Sequence, residues 1–230
     1  MRYVVELSLS LIVALDRVSY ERAANIVDSL CEVVSGFKVG LPFLLQYGLS
    51  SLEKLRSLCS EKMWVADLKL ADIGYVMTSI VELLAGKIDA VIAHAFVGYR
   101  GALDELKEFS QKLGIKLIVV AAMSHPGSVE LYDIVLGGVA KIVERVAPWG
   151  IVVPATRPKL ISVFRQMFDC QLALLAPGIG VQGARPGDAI CAGADYEIIG
   201  RLIVNSDNPL ETAIRILNEQ QRCRKWCEQR

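Results

Sequence analysis

Short runs of valine, isoleucine and leucine alternate along the chain with longer stretches whose apolar residues recur every three or four positions. The short runs read as strands over 9–16 (LSLIVALD), 36–40 (GFKVG), 63–69 (MWVADLK), 90–96 (AVIAHAF), 116–123 (KLIVVAAM), 150–155 (GIVVPA), 171–178 (QLALLAPG) and 196–202 (YEIIGRL). Strands that are apolar throughout belong in a parallel sheet covered by helices. The intervening segments, such as 19–34 (SYERAANIVDSLCEVV) and 129–146 (VELYDIVLGGVAKIVERV), carry helical period with polar outer faces. Eight strands, each followed by a helix, predict a (β/α)8 barrel, the TIM-barrel form of the α/β class, as one domain over residues 1–230. A doubly wound open sheet also alternates, but rarely with so many near-continuous apolar strands and no topological break. The last helix is expected to open at 206–209 (SDNP), capped by Asp207 or Asn208 with Pro209 in its first turn.

Composition narrows the partners. Of 230 residues 53% are hydrophobic, enough for a full core, and 25 basic residues balance 25 acidic ones. Such a chain has no overall charge to favour nucleic acid or a membrane surface, so a small molecule or a protein is the expected partner. The apolar segment 1–17 is interrupted by Glu6 and Asp16, too soon to span a bilayer, and reads as the first strand of a cytoplasmic protein. The six cysteines, at 31, 59, 170, 191, 223 and 227, form no CxxC pairs, and there are only two histidines. A structural zinc site is therefore not expected, and the cysteines read as buried free thiols. Cys223 and Cys227 stand one helical turn apart and could pair.

The chemistry gathers where a barrel would put it, at the C-terminal ends of the strands. Asp16 ends the first strand, Lys38 lies in the second, and Asp67 and Lys69 end the third. Period-two alternation points Asp67 and Lys69 to one side, whereas Asp72 lies beyond the strand and must return from a loop or act in a neighbouring subunit. A purely structural ion-pair network is the bland alternative, disfavoured by three charges within six residues at a strand's active end. The glycine-rich segment 176–187 (APGIGVQGARPG) suggests a phosphate loop with backbone N–H groups at a helix start, joined by Gln182 and by Arg201 after the eighth strand. Ser124 reads as a ligand contact, His125 as a residue holding the turn before Pro126, and His94 as a hydrogen-bonded core histidine.

These elements together closely resemble the orotidine 5′-monophosphate decarboxylase family in its compact microbial form. The resemblance rests on Asp16, Lys38, 67–73 (DLKLADI), 123–127 (MSHPG), 154–158 (PATRP) and 177–183 (PGIGVQG) followed by Gly200 and Arg201, and it covers essentially the whole chain. It implies a cofactor-free, metal-free decarboxylation of orotidine 5′-monophosphate to uridine 5′-monophosphate, the last step of pyrimidine nucleotide synthesis. It also implies a homodimer in which Lys38, Asp67 and Lys69 are completed by Asp72 of the second subunit, with Lys69 as proton donor. Asp16 and Lys38 would hold ribose hydroxyls, Ser124 the pyrimidine, and Gln182, Gly200 and Arg201 the phosphate, with Pro177 at the substrate. One departure is Val76, where the family usually carries threonine or asparagine as a further contact from the second subunit; Thr78 lies elsewhere on the helix.

Two rivals are weighed against this reading. Related magnesium-dependent sugar-phosphate decarboxylases and aldolases share the D-x-K-x-x-D pattern but generally place an acidic metal ligand where Lys38 stands. A non-catalytic nucleotide-binding barrel is disfavoured because every charged member of the array is present.

Overall fold

A computed structural model describes residues 10–223, 226 and 227. Eight parallel strands, each hydrogen-bonded to its sequence neighbours, close into a barrel as β1 pairs with β8. They are β1 (Leu11–Ala14), β2 (Gly36–Gly40), β3 (Met63–Leu70), β4 (Ala90–His94), β5 (Lys116–Val120), β6 (Gly150–Val152), β7 (Ala173–Pro177) and β8 (Tyr196–Ile199). All eight expected strands are present. Most are shorter than their apolar runs, because residues such as Ala121 and Val153 continue into buried connections beyond the sheet. Residue 9, where the first run begins, lies outside the described residues, as does just over half of the segment 1–17.

Helices α1 (Tyr20–Leu30), α2 (Leu41–Leu58), α3 (Gly74–Leu83), α4 (Asp104–Lys112), α5 (Leu136–Val146), α6 (Pro158–Phe168), α7 (Asp188–Cys191), α8 (Arg201–Val204) and α9 (Pro209–Gln220) surround the barrel. Local signals set their starts. Ser19 caps α1 by accepting a hydrogen bond from the Arg22 N–H at 3.2 Å, and Asn208, not Asp207, caps α9 by accepting from Glu211 N–H at 3.2 Å. The expected helix over 129–146 is only half realised: α5 begins at Leu136, and the preceding segment contains a short 3-10 turn, Pro126–Glu130. Leu131 and Ile134 of that segment are exposed, so its apolar period does not mark a core-facing helix. Among the described residues, no helix is long and apolar enough to cross a membrane.

The cysteine reading is overturned. Cys31 pairs with Cys59, Cys170 with Cys227 and Cys191 with Cys223, at Cα separations of 5.7, 5.7 and 5.1 Å, leaving no free thiol. Cys223 and Cys227 do not pair with each other because α9 ends at Gln220, before either, and each reaches a different helix end on the barrel wall. These contacts join residues 28 to 57 positions apart and depend on the closed fold, which cysteine spacing alone does not reveal. Cross-linking such loops commonly stabilises a fold by about 2–4 kcal/mol per bridge. Reductant is therefore expected to lower the melting temperature, and thiol titration of the unreduced, denatured protein to find essentially no reactive cysteine. A full complement of titratable thiols in protein purified without reductant would contradict the pairing.

Candidate active site

A cavity of about 630 Å3 opens at the C-terminal ends of the strands. The barrel register builds its floor. Ala14 of β1 lies beside Lys38 of β2, and Gly40 at the end of β2 lies beside Asp67 of β3. The Lys38 Nζ sits 2.6 Å from Asp16 Oδ2 and 3.1 Å from Asp67 Oδ2, with only 7% of its side chain exposed. Lys69 Nζ in turn donates to both Asp67 oxygens, at 2.7 and 2.8 Å. The four side chains form one alternating row: Asp16, Lys38, Asp67, Lys69.

Lys69 reaches this row through an irregularity in β3. From Ala66 to Leu70 the strand takes four steps while β4 takes two, from Val91 to Ala93. Lys69 itself has φ +47°, a left-handed conformation costing a non-glycine residue about 1 kcal/mol. A bulge of this kind re-aims a side chain beside a functional site. Gly40 makes room on the other flank. A Cβ there would lie 2.3 Å from Asp16 Oδ1, so only glycine lets the carboxylate approach Lys38.

The charges stabilise one another against burial. Desolvation works against the Lys38 ammonium, yet Asp67 and then Asp16 outweigh it and hold its pKa above the usual lysine value. For Asp67, burial favours the neutral acid, but Lys38 and Lys69 prevail and hold the carboxyl below its usual value. His94, at the end of β4, is buried and its Nδ1 hydrogen-bonds the Tyr132 hydroxyl. Burial and then the nearby Lys69 charge keep this imidazole below its usual pKa, with Asp67 opposing. His94 is thus the hydrogen-bonded core residue its sequence context suggests.

Across the cavity, Ser124 Oγ donates to Gln182 Oε1 at 2.8 Å, linking the β5 loop to the glycine-rich loop after β7. Pro177, Gln182, Gly200 and Arg201 all line the cavity with Asp16, Lys38, Asp67, Lys69 and Ser124. His125 lines it too, while its carbonyl accepts the Ser128 N–H at 3.0 Å to begin the 3-10 turn. Asp72 is not among them. It lies two residues beyond β3, exposed, with Oδ1 accepting the N–H of Ile73 at 2.7 Å. Val76 is half-buried on α3.

The far end of the glycine-rich loop is committed elsewhere, whereas Gly178, Ile179 and Gln182 line the cavity. The amides of Gly187 and Ala189 at the start of α7 are bonded to the buried carboxylate of Glu197, which also accepts from Gln220 Nε2 at 2.8 Å. These amides are thereby occupied within the fold and do not face the cavity as phosphate donors. Burial nonetheless pushes the Glu197 carboxyl above its usual pKa, against the lowering effect of these three partners. The sequence reading missed Glu197, whose only signal was a lone acid in an apolar strand, and it missed Gly40, Tyr132, Arg17 and Asn205.

Comparison with known proteins settles the family. The model of the orotidine 5′-phosphate decarboxylase / HUMPS family matches residues 10–216. The chain belongs to this family. A family relative from Aeropyrum pernix named orotidine 5′-phosphate decarboxylase is 47% identical over 204 residues, covering 86% of this chain and 83% of the relative. The crystal structure of orotidine 5′-monophosphate decarboxylase from Sulfolobus solfataricus superposes with a TM-score of 0.86 at 37% identity, covering 93% of this chain and 98% of that one. The Methanocaldococcus jannaschii enzyme, solved in complex with the inhibitor BMP, gives 0.85 at 31% identity, covering 92% and 98%. As a family member the chain is a carbon–carbon lyase.

The charged row makes a stability prediction with a definite sign. Asp67, depressed in the native state, contributes stability above the ordinary carboxyl value of 3.8 and loses it as pH falls through its lower native value. Lys38, raised, contributes below 10.5 and loses it only as pH climbs through its higher native value. Asp67→Asn should therefore be less stable than wild type by about 2–4 kcal/mol at neutral pH, because it leaves a buried ammonium short of a partner. In denaturant unfolding the gap should close only below pH 3.8; a gap independent of pH in the acid range would refute the coupling.

Proposed function

We propose that this chain decarboxylates orotidine 5′-monophosphate to uridine 5′-monophosphate without a metal or organic cofactor, using Lys69 as proton donor. The observation that carries this reading is the alternating row, in which Lys38 lies between Asp16 and Asp67 and Lys69 closes on Asp67. The reaction breaks the bond between a vinylic pyrimidine carbon and its carboxylate. The electron pair stays on that carbon and carbon dioxide departs. With no conjugated acceptor for the pair, fixed charges must stabilise it.

Asp67 is placed against the leaving carboxylate, and that repulsion is relieved as carbon dioxide leaves. The Lys69 ammonium gains attraction as charge builds on carbon and then transfers a proton to it, recovering one from solvent. Both effects favour the transition state over the bound substrate. Asp16 and Lys38 would hold the ribose hydroxyls. Ser124 and Gln182, already bonded to each other at 2.8 Å, would share that bond with the pyrimidine and the phosphate, and Pro177, Gly200 and Arg201 complete the pocket. Magnesium chemistry of the HUMPS type fits less well, because the Lys38 ammonium fills the space between the two carboxylates that a cation would need.

The row lacks its last carboxylate within one chain. Asp72 sits beside Ile73 and Tyr75, which are 60% and 74% exposed, so an apolar surface surrounds the one acid the cavity does not hold. A two-fold homodimer that buries this surface and inserts each Asp72 into its partner's cavity would complete both sites.

The activity test is disappearance of orotidine 5′-monophosphate in chelator-treated buffer. Full turnover is expected, and a rate restored only by magnesium would overturn the cofactor-free reading. Lys69→Ala should lose at least a thousandfold in kcat, about 4 kcal/mol, while still binding uridine 5′-monophosphate. Retention of a tenth of the rate would rule out the proton-donor role.

The shared site is tested by mixing inactive Lys69→Ala with inactive Asp72→Ala subunits. Random exchange makes about half the dimers mixed, each with one intact site, so about a quarter of wild-type activity should return. No recovery after exchange is verified by native mass spectrometry would place Asp72's role within its own chain.

A further inference from the structure

We infer that Arg17 is a second cation for the phosphate of the bound nucleotide, acting with Arg201; the inference rests on the nucleotide reading above. Four non-glycine residues among those described have positive φ: Arg17, Lys69, Ala147 and Asp169. Ala147 ends α5 in the left-handed conformation, an ordinary way for a helix to stop, and Asp169 follows the end of α6 at φ +46° and ψ −137°. Lys69 owes its conformation to the bulge that brings it to Asp67. Arg17, at φ +58°, ends no helix, yet it lines the cavity with an exposed side chain immediately after Asp16. Strain of this kind in a cavity-lining residue is characteristic of positions held for a ligand.

The surrounding packing puts Arg17 on the phosphate side. Its turn follows β1, which pairs with β8 through Val13 and Ile199. Gly200 approaches β1 so closely that a Cβ there would lie 3.4 Å from Ala14. Farther along, the Arg22 guanidinium donates to the Val204 carbonyl at 3.2 Å and to the Ser206 carbonyl, fixing the start of α1 against α8. The turn bearing Arg17 and the turn bearing Gly200 and Arg201 are therefore adjacent and mutually anchored.

Charge accounting points the same way. Among the cavity-lining residues of the single chain, before any partner's Asp72 joins the row, the two carboxylates of Asp16 and Asp67 are matched by Lys38 and Lys69, and the lining charges left over are Arg17 and Arg201. A phosphate monoester carries roughly 1.5 to 2 negative charges near neutral pH, which two guanidinium groups balance and one does not. The amides of Gly187 and Ala189 at the far end of the glycine-rich loop are occupied by Glu197 and add no donors to the cavity.

The test compares Arg17→Gly, which keeps the left-handed backbone accessible, with Arg17→Lys, which keeps the charge. Calorimetric affinities are measured for uridine 5′-monophosphate and uridine, and for ribose 5-phosphate and ribose, with kcat and KM for decarboxylation. Arg17→Gly should bind both phosphorylated ligands about tenfold more weakly, raise KM more than it lowers kcat, and leave uridine and ribose nearly unchanged. Arg17→Lys should recover most of the loss. Unchanged affinity for the phosphorylated ligands, or equal loss for the ligands without phosphate, would overturn the inference. If the wild type bound ribose 5-phosphate but did not decarboxylate, the reading of the reaction would fail while Arg17 was still judged on that ligand. A wild type that bound neither phosphorylated ligand would overturn both.

Discussion

A lysine ammonium held inside the barrel between two carboxylates is the constraint on which the site depends. Lys38 is 7% exposed, and an unpaired charge at that depth would cost several kcal/mol or force the group to neutralise. Asp16 and Asp67 prevent this only because three strands present them to one point. Register sets β1 beside β2 and β2 beside β3, and Gly40, lacking a side chain, lets Asp16 close in. A one-residue slip in β2 would turn Lys38 away from both acids and leave them facing each other. The pairing that keeps the lysine charged thus also enforces the register of the barrel's first three strands.

The rest of the row is less comfortable. Lys69 occupies a left-handed conformation within a bulge, so the fold gives up local stability to bring a second ammonium to Asp67. The closed sheet can bear this because its interior below the mouth is filled by residues such as Ile12, Val65 and Ile118, each fully buried. Strain concentrates at the mouth and packing below it, which is where a barrel can hold reactive groups without losing its fold.

The architecture was legible because eight apolar runs and the helical periods between them are signals each segment carries for itself. Asp16, Lys38, Asp67 and Lys69 were legible for a related reason: charges within or at the ends of apolar strands stand out. What escaped depends on contacts between distant segments. The disulfides join helix ends that meet only after closure, and Glu197 looked like an isolated acid until Gly187, Ala189 and Gln220 came to surround it. The period of 129–146 misled in the opposite direction, since an apolar repeat near a loop also arises where residues such as Ile134 stay exposed. Lys69 does meet Asp67, but through a bulge rather than the regular alternation of a strand.

Glu197 also constrains how the cavity can hold an anion. In many barrels of this kind a helix start after the seventh strand offers its amides to phosphate. Here a buried carboxylate takes the amides of Gly187 and Ala189 and is itself braced by Gln220 of α9, so the loop is anchored from behind. Gly187 makes that bracing possible, because a Cβ at this position, φ +87°, would lie 2.6 Å from the Glu219 carbonyl oxygen. Beyond this anchored base the loop carries Gln182, whose carboxamide spans the cavity to Ser124. The helix start that does line the cavity is that of α8, at Gly200 and Arg201. The base of the glycine-rich loop and the start of α8 thus have different duties: the first is tied to Glu197 and so to α9, whereas the second borders the cavity.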